Sequence, residues 1–194
     1  MVDATLRTDP DARQRAIRIL WQLGTDSKAI RQANLYCILD AARDEQIHPD
    51  LRRLAARTEI LPLYQGTAAI ELAAVAPYLV CLGLDDLIFD WIWESGWGQN
   101  WGVFVWSVVT PMALRNHFRR LTKVRTETGQ VLIFRFYDPR VLAEFLPTCD
   151  AGQLADLFGP VNCFVTEADE GQTLVKFRLQ RNALVSERTS LGPR

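Results

Sequence analysis

The sequence predicts an α/β domain in which a sheet of mixed parallel and antiparallel strands is flanked by helices and the C-terminal part contains hairpins. Two observations predict it. Short, continuous apolar runs at 34–39, 77–82 and 103–109 alternate with segments of helical period, the pattern of strands buried on both faces and joined by helical crossovers. Two later pairs of strand-like runs turn at Thr128-Gly129 and near Gly171, which implies antiparallel pairing in the second half of the chain.

The elements follow in order. Asp9-Pro10 supplies an N-cap and a first-turn proline, Ala16, Ile19, Leu20 and Leu23 recur at helical spacing, and Gly24 stops the helix. After the 34–39 strand comes a helix over 45–57. The apolar segment 61–64 ends at Gln65-Gly66 and leads into a helix over 67–75 and then the 77–82 strand. A helix over 84–94, a strand over 103–109 and a helix over 112–121 entered at Pro111 complete the alternation. The first hairpin pairs 123–126 with 131–136. Two short helices, 140–146 and 151–158, precede a second hairpin of 161–166 and 173–179. The chain therefore divides into an N-terminal helix and extension (1–30), a main domain (31–180) and a polar tail (181–194) for which disorder is one reading.

Composition bounds the function. A chain of 194 residues suits a single core burying roughly 70% of its unfolded surface. Its 22 basic and 23 acidic residues leave a net charge of -1, so no global field attracts nucleic acid or an anionic membrane. The N-terminus is polar and acidic where a secretory signal starts basic and turns apolar, which gives a cytoplasmic expectation. The apolar run 103–109 is far below the ~20 residues of a transmembrane helix. Cys37, Cys81, Cys149 and Cys163 form no Cys-x-x-Cys pair and have no histidine placed to complete a zinc site, so they read as reduced core thiols without metal or cofactor.

Five of the six tryptophans lie between Trp91 and Trp106, which concentrates attention there. Gly96-Trp-Gly98 and Gly102 imitate a dinucleotide loop, but the last glycine is one position late and a strand follows where a helix N-terminus is needed. On a wheel at about 100° per residue, Leu84, Leu87, Ile88, Trp91 and Ile92 form one stripe opposite Asp85, Asp86, Asp90 and Glu94. Phe89 and Trp93 widen that stripe and need a second covering surface. One reading packs the helix between the sheet and the Trp97 loop; the other makes Phe89 and Trp93 a hydrophobic contact for another protein. Trp97 and Trp101 in their glycine-rich loop read first as a structural plug, and second as a site that stacks a ligand or clamps an extended peptide.

Two polar clusters complete the candidates. Arg135, placed inside an apolar strand, with Asp138 and Arg140 forms a group at the end of the sheet, read either as a ligand site or as a buried ion pair with Asp138-Pro139 capping the next helix. Arg115, His117, Arg119, Arg120, Lys123 and Arg125 form a basic patch that is either a solvated face or a contact for an acidic segment of a partner. There is no phosphate loop, His-Glu-x-x-His or Gly-x-Ser-x-Gly motif.

The ordered blocks Leu35-Tyr-Cys-Ile-Leu-Asp-Ala-Ala42, Ala76-Pro-Tyr-Leu-Val80, Gly96-Trp-Gly-Gln-Asn-Trp-Gly102, Phe134-Arg-Phe-Tyr-Asp-Pro-Arg140 and Phe158-Gly-Pro-Val161 resemble the type VI secretion adaptor, or effector chaperone, family, long catalogued as a domain of unknown function. The resemblance spans about 34–166. It implies a bacterial cytoplasmic protein, not an enzyme, that binds a toxic effector and helps load it onto the spike protein of the secretion apparatus. With that implication, Phe89, Trp93, Trp97, Trp101, Arg115 and Arg119 become candidate partner-binding residues. Arg135, Tyr137, Asp138, Pro139 and Arg140 become the structural centre around which partner surfaces are arranged, and an aromatic patch without cargo suggests a homodimer. A small-molecule enzyme using Arg135, Asp138 and Arg140 beside the tryptophan loop is the alternative, and nucleic-acid binding through 115–125 is a third reading.

Overall fold

In the computed structural model, residues 9–22, 33–55, 58–83, 87–125 and 128–192 are described. The predicted positions Leu23, Gly24, Leu84, Asp85, Asp86 and Thr126, with the side chain of Arg125, lie outside the described residues.

Seven strands form the main sheet: β1 (Asn34–Asp40), β2 (Ile60–Pro62), β3 (Pro77–Leu82), β4 (Gly102–Ser107), β7 (Val161–Ala168), β8 (Thr173–Gln180) and β9 (Ala183–Ser190), in the spatial order β2-β3-β1-β4-β7-β8-β9. A separate two-stranded ribbon consists of β5 (Lys123–Arg125) and β6 (Val131–Ile133). Among the described residues, seven α-helices accompany them: α1 (Pro10–Gln22), α2 (Ile47–Leu54), α3 (Ala68–Glu71), α4 (Leu87–Trp91), α5 (Pro111–Leu121), α6 (Pro139–Phe145) and α7 (Ala151–Phe158).

The α/β class holds, but the mixed sheet does not: every neighbouring pair is antiparallel. The reason lies in the placement of β1. β3 and β4 do run parallel and are joined by a helical crossover, as the alternation of elements suggests, but β1 sits between them and opposes both. The C-terminal end of β1 lies beside the starts of β3 and β4. Ala41 N donates to Ala76 O at 3.2 Å where β1 ends and β3 begins, and Asp40 N donates to Trp101 O at 2.8 Å where β4 begins.

Strand alternation divides the core into two layers. Leu35, Cys37 and Leu39 of β1, with Phe104 and Trp106 of β4, face α1, α2, α4 and the tryptophan loop. Tyr36 and Ile38, with Val103 and Val105, face α5, α6 and α7. Helix ends follow their sequence signals: Asp9 accepts from Asp11 N at 2.9 Å at the start of α1, and Asp150 and Gln153 form a reciprocal capping box on α7.

Three further expectations are corrected. The predicted 84–94 helix is α4 followed by a π-turn, Ile92–Gly96, closed by Trp97 N donating to Ile92 O at 2.7 Å. Residues 183–190 of the expected polar tail are no loose segment, because β9 pairs with β8 along its whole length from Thr173↔Ser190 to Gln180↔Ala183. Its polarity reflects an edge strand largely open to solvent. The predicted strand over 131–136 stops at Ile133, so Arg135 lies in the turn that follows it.

Candidate partner-binding surface

Phe89, Trp93, Trp97 and Trp101 are 0%, 1%, 2% and 7% exposed, so they form no surface a partner could touch in the folded chain. The interface reading of these aromatics is corrected: they are core. Two surfaces cover them. Trp21 of α1 meets Phe89 edge to face at 4.9 Å, and Trp97 packs on Trp93 with ring centroids 4.6 Å apart. Arg13 of α1 pairs with Asp90 of α4, fixing the two helices together. The Trp97 indole donates to Gly171 O at 2.9 Å, and the space enclosed beneath the loop is about 10 Å³, room for one water.

A residue the sequence reading missed holds this loop closed. Glu167 of β7, itself buried, accepts from Gly98 N with one carboxylate oxygen and from Asn100 N with the other. The loop can offer both amides because Gly98 and Asn100 adopt positive φ, 77° and 58°. At Gly96 an added Cβ would lie 2.3 Å from the Trp101 ring, so only glycine allows this closeness.

The polar cluster resolves into two paired carboxylates. Asp138 caps α6, accepting from Arg140 N at 3.1 Å, and its carboxylate also holds the Arg140 guanidinium at 3.0 and 2.6 Å. Burial alone would raise the Asp138 pKa, but the Arg140 hydrogen bonds more than offset it and the net shift is downward. Arg135 pairs with Asp40, which is buried at the end of β1 and also caps the following 3-10 turn through Ala42 N. Tyr137 is buried, hydrogen-bonded to Tyr64, and its phenol pKa is pushed up by burial. Pro139 fills the first turn of α6. Arg135, Asp138 and Arg140 thus meet at one end of the sheet, where they tie β1, the turn after β6 and α6 together. Among the described residues, no three His, Cys, Asp or Glu side chains converge to hold a metal ion.

The basic patch on α5 separates into different roles. His117 is buried, with Nε2 3.0 Å from Leu157 O, and burial lowers its pKa. Arg115 donates to Pro62 O at 2.7 Å and so braces the edge strand β2. Arg119 and Lys123 instead line a groove of about 420 Å³ between α3, the end of α5 and the β5–β6 ribbon.

Apolar surface is exposed at that ribbon. Val124 and Leu132 stand opposite each other at 42% and 43% exposure, while Val131 and Ile133 are 52% and 61% exposed. Both faces of the ribbon therefore expose apolar side chains, with Lys123 paired opposite Ile133 on one of them. Its base is anchored where Phe134 N donates to Thr122 O at 3.0 Å. Leu72 of the segment after α3 faces the same groove and is also exposed.

Residues 35–156, more than half of the chain, match the family described as a domain of unknown function, DUF4123. The chain belongs to the DUF4123 family. No curated protein and no solved structure matched.

The DUF4123 match contains the tryptophan loop, the Arg135 to Arg140 cluster, the groove and the ribbon, but it ends before Glu167 and Gly171, which hold the loop. The groove and ribbon had a signal in the sequence, since Val131-Leu-Ile133 places three apolar residues in succession on a short hairpin strand, which cannot turn all of them toward one core. Glu167 had none, because its partners are loop amides far away along the chain.

Proposed function

We propose that this DUF4123 protein is an adaptor that binds a type VI secretion effector in the bacterial cytoplasm and helps load it onto the spike protein of the apparatus. Its resemblance in ordered sequence blocks to the type VI adaptor family supports the reading, and family membership is consistent with it. The observation that carries it is the β5–β6 ribbon. A two-stranded hairpin is marginal in water by itself, and one with Val124, Val131, Leu132 and Ile133 all more than 40% exposed leaves apolar surface for a partner to cover. The small-molecule alternative finds less support, since Asp40 and Asp138 each already hold a guanidinium.

The test is co-expression with the effector and spike genes adjacent to this one, followed by affinity capture and size-exclusion chromatography. A stable complex in which the effector becomes more soluble supports the adaptor. If the chain elutes alone while both candidate partners are present and soluble, the adaptor reading fails for them. A metabolite that raises the melting temperature by mass action would then favour the small-molecule alternative.

A further inference from the structure

Resting on the adaptor reading, we infer that the groove between α3 and the β5–β6 ribbon receives an amphipathic helix of the effector whose apolar face is flanked by a carboxylate. Three features of the groove specify that occupant. Its walls carry apolar side chains, Ala68 and Leu72 from α3 and the segment after it and Ile133 from the ribbon, over the buried Leu63, with Tyr64, Gln65 and Thr122 between them. The charged side chains lining it, Arg119 and Lys123, are both cationic. Among the described residues, the Arg119 guanidinium is held only by a long 3.5 Å contact from Nη1 to Asn116 Oδ1 while its Nε is buried without a partner, so its hydrogen-bonding capacity is incompletely used at this surface.

Shape selects a helix over a strand. β5 and β6 are three residues each, so a strand added to either edge would gain few backbone hydrogen bonds. A groove with apolar side chains on two walls and a volume of about 420 Å³ instead accepts side chains projecting at i, i+3 and i+4 from one helix face. A carboxylate next to that face would accept from Arg119 and screen Lys123, a charge-assisted contact stronger than a neutral one.

The experiment measures capture of the neighbouring effector by the wild-type chain and by Leu72→Asp, Ile133→Asp and Arg119→Glu variants. Arg188→Glu, on the opposite edge strand β9, is the control. All four positions are partly or well exposed, so melting temperature should stay near wild type and loss of capture will report the surface. The expected result is at least about tenfold weaker capture for the three groove variants, the loss expected of an interface anchor, with the control unchanged. Arg119→Glu should regain capture when an acidic residue in the bound effector helix is changed to lysine. Wild-type capture that all three groove variants retain would overturn the groove and leave the adaptor reading standing. Self-association lost in Ile133→Asp while effector capture persists would make a second copy the occupant and also overturn it. If the wild-type chain captures no effector, the adaptor reading and the groove assignment fall together.

Discussion

Replacing Glu167 by glutamine tests whether a single carboxylate holds the tryptophan loop. Each of its oxygens accepts a different loop amide, Gly98 N and Asn100 N, and the residue is buried. Glutamine keeps the shape but can accept with one oxygen only, and its NH2 group turns a donor toward the other amide. A hydrogen bond to a charged group contributes about 1.5–3 kcal/mol and a neutral one about 1 kcal/mol. Losing one charge-assisted bond and weakening the other should therefore cost about 2–4 kcal/mol. In a domain of this size that corresponds to a melting temperature lower by roughly 4–16 °C. Urea unfolding followed by tryptophan emission measures it, and an accompanying red shift of the folded-state spectrum should report a loosened Trp97. A midpoint that moves by less than about 0.5 kcal/mol, with an unchanged spectrum, would refute the claim that Glu167 clasps the loop.

Three other outcomes are expected. Trp93→Ser should destabilise by about 3–5 kcal/mol or abolish soluble expression, whereas Ile133→Ser on the ribbon should stay within about 0.5 kcal/mol; paired denaturation curves decide it. Asp138→Ala should cost about 1 kcal/mol for the cap at neutral pH. Because the folded-state pKa of Asp138 lies below its unfolded value, its contribution is present above about pH 4 and is lost as pH falls through the folded pKa, so the gap between variant and wild type should close in acid. His117 has a lowered folded-state pKa, so below about pH 6.5 the unfolded chain takes up a proton that the folded one refuses, and stability drops on acidification. His117→Gln should flatten that part of the pH–stability curve, and a profile identical to wild type would remove His117 as a contributor.

Much of the fold could be read from short-range signals. The apolar runs at 34–39, 77–82 and 103–109 are β1, β3 and β4 within a residue or two, and Asp9, Thr110, Asp138 and Asp150 cap the helices they precede. What failed depended on order in space. Chain order cannot reveal that β1 inserts between β3 and β4, and that insertion turns a βαβ-like alternation into an antiparallel sheet. The wheel for 84–94 assumed 100° per residue, and the π-turn at Ile92–Gly96 breaks that angle where Trp93 needs covering. The candidate site was harder to read. Aromatic density marked Phe89, Trp93, Trp97 and Trp101 as unusual but could not separate core from interface, while Arg119 was singled out for charge alone, without the apolar groove it lines.

The clasp on the tryptophan loop also sets an order of events in time. Gly98 and Glu167 are 69 positions apart, so the loop cannot be locked until β7 has been synthesised and docked against β4. Contacts this distant along a chain form late, after the local helices and turns. During that interval Trp93, Trp97 and Trp101 lack their final cover, and the nascent chain carries its stickiest surface unprotected. Tryptophan emission should therefore reach its native value only in the last phase of refolding. A chain ending at the family boundary, residue 156, would have no means of completing that phase.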